Sequence, residues 1–145
     1  MSDDTLWVAY ARTRLLIGPA PHIKVDLRQP VSDDLRHLLT NLGLGSTFAV
    51  VTPFDPRGKR APAWRNRVRY LRMRRQLRSR NLNFVEADGE SPDSVHRERG
   101  FAIGISRNDA ATLAREHQQL ALYWFDGEFF WIDGVLAPRA PQRLP

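Results

Sequence analysis

The stretch LALYWFDGEFFWI, residues 120–132, places Asp126-Gly127 between two apolar runs rich in aromatic side chains. This arrangement is the strongest short sequence signal for a β-hairpin, because Asp-Gly readily adopts the positive φ angles of a tight turn. We predict antiparallel strands at residues 120–125 and 128–132. Side chains alternate across a strand, so one aromatic face belongs to the core. The other face is either covered by a helix or exposed as a stacking or oligomerisation surface.

The rest of the chain alternates between short predicted elements. Apolar or alternating runs predict strands near residues 12–17, 23–27, 47–52, 83–87 and 100–105, the last two joined by a polar loop at residues 88–99. Helices are indicated at residues 3–11 and after Ser32 and Ser106, both good N-cap residues. The mixture predicts one α+β domain over residues 1–134, with a mostly antiparallel sheet of about five to six strands and two to three packed helices. Residues 135–145 contain three prolines and are predicted to form an extended, loose tail.

The composition limits the class of protein. With 145 residues, 42% of them hydrophobic, the chain is large enough for a packed core. It contains no cysteine, which excludes disulfides, a thiol nucleophile and thiolate zinc sites, and is consistent with a reducing compartment. The acidic first residues are followed by no long apolar run, so we expect neither a signal peptide nor a membrane span. The predicted location is the cytoplasm, with no membrane partner.

Basic charge is concentrated in one segment of the chain. Residues 57–80 hold 11 of the 22 basic residues, and no acidic residue occurs from Pro56 through Val85. The remaining sequence has 11 basic and 16 acidic residues, so the net charge of +6 originates in this segment. A block this one-sided favours a polyanionic partner or an acidic protein surface.

The spacing of apolar residues predicts that the basic segment is a helix. Asn66, Tyr70, Met73 and Leu77 recur at helical intervals and define one stripe, in which we expect the last three to be buried. The arginines occupy the other angles, and Arg69 and Arg72 are expected to be exposed. A second apolar patch, Trp64, Val68 and Leu71, lies roughly opposite the stripe and is expected to be covered by another segment or by a partner. The residues predicted to contact a polyanion are Arg65, Arg69, Arg72, Arg75 and Arg78.

A second group of polar residues lies where a predicted strand passes into this helix. Such a junction brings side chains and free helix N–H groups to one mouth, where anions commonly bind. The loop has only Gly58 and lacks the glycine pattern of a nucleotide-binding loop. Its polar residues either satisfy loop backbone groups or contact a ligand, and both interpretations stay open. The candidate polar site comprises Thr52, Asp55, Arg57, Asn66, Glu98 and Gln119.

Carboxylates alternate in the segment that follows. Glu86, Asp88 and Glu90 share one face of an extended chain, and His96 and Glu98 follow with the same spacing. Carboxylates with imidazole can bind a hard cation or act as acid and base, but alternating carboxylates are more often a solvated strand edge or partners of arginines. No metal-binding motif is present, so we predict neither a metal site nor a cofactor.

Several short motifs follow one another in a recognisable order. They are FAVVT at residues 48–52 running into Asp55-Pro56-Arg57, Asn66 opening a helix, His96-Arg97-Glu98 before an apolar strand, and Leu113-Ala114, Gln119 and Ala121, with Tyr10 and Thr13 upstream. Their order and spacing resemble an uncharacterised bacterial family, the domain-of-unknown-function family 3293. The sequence departs from the family pattern at residues 53–55 and at His117. The resemblance implies a single domain over nearly the whole chain and brings no assigned reaction.

Three classes of function are compatible with these observations. The first is a module that binds the backbone of RNA or DNA through the arginine-rich helix. The second is an interaction domain, in which this helix meets an acidic protein partner or a second copy of the chain. The third is a small enzyme that uses the cluster of Thr52, Asp55, Asn66 and Glu98. The charge distribution supports the first two classes equally, and we favour the first. The observation that bears most on the choice is whether the arginine helix is open or is already paired with Glu86, Asp88 and Glu90.

Overall fold

The computed structural model describes residues 3–145, which form one sheet and four α-helices. The helices are α1 (Asp3–Ala11), α2 (Asp33–Thr40), α3 (Ala63–Ser79) and α4 (Arg107–Glu116), and a 3₁₀ turn covers Pro56–Gly58. The strands are β1 (Arg14–Ile17), β2 (Ile23–Asp26), β3 (Phe48–Val51), β4 (Phe84–Glu90), β5 (Arg97–Glu98), β6 (Phe101–Ile103), β7 (Ala121–Phe125), β8 (Phe130–Gly134) and β9 (Gln142–Arg143). Within these residues, no helix combines the length and apolar character that crossing a membrane requires.

The strands pair antiparallel throughout the sheet. Their order is β2-β1-β4-β6-β3-β7-β8-β9, and the short β5 also pairs with β4. The fold is therefore α+β, as predicted. The nine strands and four α-helices among residues 3–145 exceed the predicted five to six strands and two to three helices. Part of the difference comes from β5 and β9, whose two residues each are too few to show an alternating pattern in the sequence.

Each face of the sheet carries a hydrophobic core. On one face, Phe48, Phe125 and Phe130 pack with one another and with Trp7 of α1 and Leu39 of α2. The second core lies on the opposite face, between the sheet and the helices α3 and α4; its members include Tyr70, Met73, Leu77, Phe101, Leu113 and Trp124. Both aromatic faces of the predicted hairpin are thus covered by helices, which is the first of the two predicted alternatives.

The hairpin has a longer turn than predicted. Phe125 pairs with Phe130, so four residues, 126–129, connect β7 and β8 instead of two. Asp126 holds this turn: its Oδ1 accepts the N–H groups of Glu128 and Phe129, and its Oδ2 accepts the indole N–H of Trp131. Gly127 has a φ of +102°, in the left-handed region that glycine occupies without strain. Strand β8 therefore begins at Phe130, and the predicted start at residue 128 is wrong.

Two segments predicted as irregular belong to the sheet. The polar loop expected at residues 88–99 is mostly a hairpin, because β4 continues to Glu90 and β5 returns along it. The tail expected to be loose is anchored, because β9 pairs with β8 and Leu144 is only 2% exposed. Burial of a leucine side chain is worth roughly 2 kcal/mol relative to exposure. This free energy helps to offset the conformational entropy that the tail loses when it is held against the sheet.

Candidate functional site

Helix α3 presents its apolar stripe to the second core, as predicted. Asn66, Tyr70, Met73 and Leu77 are all buried. The helix ends where Asn81 takes a left-handed φ of 53°. The buried residues recur about once per turn, so the same side of α3 faces the core along the helix and the opposite side faces solvent.

Tyr70 connects this stripe to the sheet. Its ring stacks on Phe101 with centroids 4.9 Å apart, and the guanidinium of Arg99 lies 3.9 Å from the centroid of the same ring. The hydroxyl donates to the Glu86 carboxylate. Burial, followed by this hydrogen bond, raises the pKa of Tyr70 to about 12. The phenol is therefore neutral near pH 7 and serves as an anchor for α3.

The arginines of α3 are largely directed to solvent and are not neutralised. Of the predicted polyanion-binding residues, Arg65, Arg72, Arg75 and Arg78 are exposed. Arg69 is half-buried, contrary to the prediction, because it lies three residues after Asn66 and so borders the buried stripe. Among residues 3–145, no carboxylate lies within ion-pairing distance of any arginine from position 65 to 78.

The carboxylates that could have neutralised α3 are paired elsewhere. Glu86 lies 3.4 Å from Arg99, Asp88 lies 2.7 Å from Arg97, and Glu90 lies 3.0 Å from Arg14. These partners come from the sheet and its hairpin, not from the helix. The exception at the end of α3 is Arg80, which follows the last helical residue and lies 3.5 Å from Glu116 of α4.

An apolar patch lies on the solvent side of α3. Trp64 is 64% exposed, Val68 57% and Leu71 41%. No segment among residues 3–145 covers these side chains, so of the two predicted alternatives, cover by another segment is excluded there and cover by a partner stays a prediction. The guanidinium of Arg65 lies 5.2 Å from the centre of the Trp64 ring. At about 100° per residue the patch faces away from the buried stripe, with arginines on both of its sides.

A groove of about 430 Å³ separates the C-terminal half of α3 from α4; its lining residues are Arg72, Arg75, Gln76, Ser79, Arg80, Glu116 and His117. The Gln76 side chain donates to Glu116 at 2.8 Å, which leaves its carbonyl oxygen to accept from His117 Nε2 at 2.7 Å. Burial, together with the nearby charges of Arg72 and Arg80, lowers the pKa of His117. The groove is therefore cationic on the α3 side, with one carboxylate on the α4 side.

The predicted polar site is centred on Asp55 and Asn66. Asn66 Nδ2 donates to Asp55 Oδ1 at 2.9 Å, and the Asp55 N–H donates to Asn66 Oδ1 at 3.0 Å. The N–H of Ala61 also donates to Asp55 Oδ1, at 2.9 Å. Asp55 has a left-handed φ of 48°, a conformation that aspartate tolerates better than most residues. These bonds fix the direction of the carboxylate and satisfy Oδ1, while Oδ2 faces away from them.

Thr52 and Gln119 hold the loop that carries Asp55. Thr52 Oγ1 donates to the carbonyl oxygen of Arg99 at 2.7 Å and accepts the N–H of Phe54 at 3.1 Å. The Gln119 amide donates to the carbonyl oxygens of Phe54, at 3.0 Å, and His117, at 3.2 Å. The side chains of Thr52 and Gln119 therefore satisfy backbone groups of the loop, in agreement with the first of the two interpretations given for this site.

Arg57 lies on the rim of this loop. Its side chain is exposed, and its backbone N–H donates to the carbonyl oxygen of Gln118 at 2.8 Å. Its φ of 59° is left-handed, so the main chain turns sharply here before α3 begins.

His96 and Glu98 complete the polar site. His96 Nε2 lies 3.9 Å from Asp55 Oδ2 and 3.7 Å from Glu98 Oε1. Interaction with Glu98 raises the pKa of His96, with Asp55 adding to the effect and burial and Arg60 opposing it. His96 was absent from the candidate site predicted above. The only signal in the sequence was the spacing of His96 and Glu98, which places both on one face of an extended segment. Their proximity to Asp55 depends on the β4–β5 hairpin, which the sequence did not predict.

The comparison with known families identifies one match. The model of a family described as "Protein of unknown function (DUF3293)" matches residues 51–122, about half of the chain, and confirms the resemblance drawn from the motifs. The matched range contains α3, α4, the α3–α4 groove and the Asp55–Asn66–His96–Glu98 site, whereas Tyr10 and Thr13 lie outside it. No curated protein and no solved structure matches the chain.

Proposed function

We propose that this protein binds nucleic acid through the phosphate backbone, with the solvent side of α3 as the contact surface. The observation that carries this proposal is the set of α3 arginines without ion pairs among residues 3–145, although eight arginine–carboxylate pairs form elsewhere in that range. Cations that are paired within a protein have their charge neutralised there. Cations left open along one helix create a positive potential that attracts a polyanion.

The dimensions of α3 suit an extended phosphate chain. Its 17 residues give a length of roughly 25 Å, at about 1.5 Å per residue. At about 3.4 Å per phosphate along one strand, this length covers roughly seven phosphates. Within this length lie the four exposed residues Arg65, Arg72, Arg75 and Arg78 and the half-buried Arg69, so at most about five phosphate contacts are expected.

The apolar patch within the arginines favours single-stranded over duplex nucleic acid. An exposed tryptophan beside cationic side chains is the combination that stacks on unpaired bases, at about 1–3 kcal/mol per stacked base. Trp64 is the most exposed member of the patch and already lies beside Arg65. The bases of duplex DNA are stacked on one another, so the duplex offers Trp64 no free base face on which to stack.

The test is fluorescence anisotropy with labelled single-stranded RNA, single-stranded DNA and duplex DNA of mixed sequence at several salt concentrations. Five neutralised phosphates give a log–log salt slope of about −3.5 for single strands and about −4.5 for duplex DNA. Charge reversal of Arg72 and Arg75 to Glu is expected to weaken binding and flatten the slope. The matched control reverses Arg12 and Lys24, two exposed cations outside α3, with the same change in net charge.

Equal loss of binding in both double variants would show that only net charge matters and would contradict the proposal. Trp64→Ala separates stacking from charge: it is expected to weaken single-strand binding while leaving duplex binding and the salt slope unchanged.

The same exposed patch also favours a second candidate, a protein-interaction surface. Apolar side chains interleaved with arginines suit an acidic protein partner or a second copy of the chain. Absence of nucleic-acid binding at low salt, together with an oligomer that the Arg72/Arg75 reversal dissociates in light scattering, would favour this candidate. The cytoplasmic location stays a prediction in either case.

A further inference from the structure

The polar site contains a largely buried carboxylate, Asp55, with only one of its two oxygens hydrogen-bonded by described residues. Asp55 is only 8% exposed. Its Oδ1 accepts from Asn66 and from the Ala61 N–H, whereas no described residue donates a hydrogen bond to Oδ2. His96 Nε2 lies 3.9 Å from Oδ2, beyond hydrogen-bond length. Asp55 Oδ2 is not among the fully buried polar atoms that lack a partner, so solvent or a ligand can reach it and complete its interactions.

Two further potential ligand atoms, one from His96 and one from Glu98, lie close to this oxygen. Oxygen or nitrogen atoms of Asp55, His96 and Glu98 all lie within 4.8 Å of one another. The His96 imidazole lies 3.9 Å from Asp55 and 3.7 Å from Glu98, so it is hydrogen-bonded to neither carboxylate. The three side chains thus surround a gap.

The size of the gap matches a metal ion. With these separations as upper limits, a point equidistant from the three atoms lies at most about 2.5 Å from each. Metal–nitrogen and metal–oxygen bonds are about 2.0–2.2 Å for zinc, so closing the gap needs side-chain movements of a few tenths of an ångström. His96 and Glu98 are both partly exposed and free to make that adjustment.

We propose that Asp55, His96 and Glu98 form a site for one divalent first-row transition-metal ion, of which Mn²⁺ and Zn²⁺ are the test cases. Two carboxylates and one imidazole suit these ions better than Ca²⁺, which takes six to eight oxygens in most sites. Three protein ligands leave further coordination positions for water or a substrate, the arrangement of catalytic rather than structural metal sites. Asn66 is the positioning residue, since it fixes the direction of the Asp55 carboxylate as outer-shell partners of metal ligands do.

Sequence patterns predicted no metal here because the ligands come from two segments far apart in the chain. Asp55 is in the loop that follows β3, whereas His96 and Glu98 belong to the hairpin that pairs with β4. The site lies on residues distinct from the solvent side of α3, so it does not depend on the proposed nucleic-acid binding.

The test is titration of the full chain with Mn²⁺ alone, followed by calorimetry and by the electron paramagnetic resonance signal of free Mn²⁺, and then with Zn²⁺ by calorimetry. We expect one ion per chain, with affinity reduced about tenfold or more in His96→Ala and in Glu98→Gln. His37→Ala is the matched control, because His37 is exposed on α2 beside Asp33 and Asp34 and would account for adventitious binding. It is expected to leave the affinity unchanged.

Circular dichroism establishes that each variant is folded, and Glu98→Gln, which preserves side-chain size, keeps the test valid if His96→Ala is unstable. Stoichiometric binding that survives both substitutions, binding lost only in His37→Ala, or no binding of either ion to the wild-type chain would each overturn the proposal.

Discussion

The arginine face of α3 and the carboxylates of β4 carry opposite charges, yet the fold treats them differently. Glu86, Asp88 and Glu90 of β4 each face an arginine supplied by the sheet. The arginines of α3 between positions 65 and 78 face no carboxylate among residues 3–145. Both regions look equally one-sided in the sequence. The difference shows that a run of like charges forms ion pairs within the protein only where the fold brings residues of opposite charge beside it.

The two regions are consequently held in place by different interactions. Helix α3 is anchored by apolar burial and by the Tyr70 ring, so its charges can interact with a partner without loosening the helix. The β4–β5 hairpin is braced by ion pairs at its surface, which contribute little individually. Charge mutations on α3 should therefore leave the free energy of unfolding unchanged, whereas a charge mutation on β4 also removes an ion pair that braces the hairpin.

The largest expected effect tests the anchoring of α3. Leu77 is fully buried, so Leu77→Ala is expected to reduce the free energy of unfolding by roughly 2–4 kcal/mol, through lost burial and the cavity left behind. Urea denaturation at low and high salt measures this loss, which should be the same in both because no charge is involved. A cost below about 0.5 kcal/mol would mean that α3 is held by something other than its apolar stripe.

A smaller effect is expected where the anchor of α3 meets the carboxylates of β4. Tyr70 keeps its proton up to a pKa of about 12, whereas an unfolded tyrosine ionises at about 10. The unfolded state therefore releases its proton first, and the protein should lose stability as pH rises from about 10 to about 12. Glu86→Leu removes one cause of the raised pKa of Tyr70 and leaves the Tyr70 hydroxyl without its partner. The free energy of unfolding at neutral pH should fall by roughly 1 kcal/mol.

Unfolding free energies measured across this pH range, for the wild type and for Glu86→Leu, check this prediction. The wild-type decline should be steeper than that of the variant, since the variant's Tyr70 ionises closer to its ordinary pKa. Parallel declines would show that Glu86 has no influence on Tyr70.

Much of the local structure could be predicted from the sequence. The intervals between Asn66, Tyr70, Met73 and Leu77 define the buried face of α3, and Ser32 and Ser106 cap α2 and α4 through their hydroxyl oxygens. These features depend on residues within one or two turns of each other. Helical periodicity and capping are local, so a single sequence contains the information they require.

The missed features all depend on contacts between distant residues. The anchored tail needs Leu144 to find a place in a core formed by β8, and the Asp55–His96 approach needs the hairpin of β4 and β5. The four-residue turn at 126–129 depends on three hydrogen bonds to one aspartate, which an Asp-Gly pattern does not reveal. Periodicity predicts which face of an element is buried, but not which distant side chain will meet it.

The smallest expected effect concerns Glu116, the acid that meets the end of α3. Glu116 pairs with Arg80 and lines the α3–α4 groove, so it opposes the positive potential there. Both side chains are partly exposed, and Glu116→Gln, which preserves the shape, should change stability by no more than about 0.5 kcal/mol. If phosphates occupy the groove about 7 Å from this carboxylate, removing its charge contributes about 0.6 kcal/mol in water, or a two- to threefold tighter complex. Anisotropy at low salt measures the gain, with Glu128→Gln in the β7–β8 turn as a control of equal charge; an equal gain in both variants would place the phosphates away from this groove.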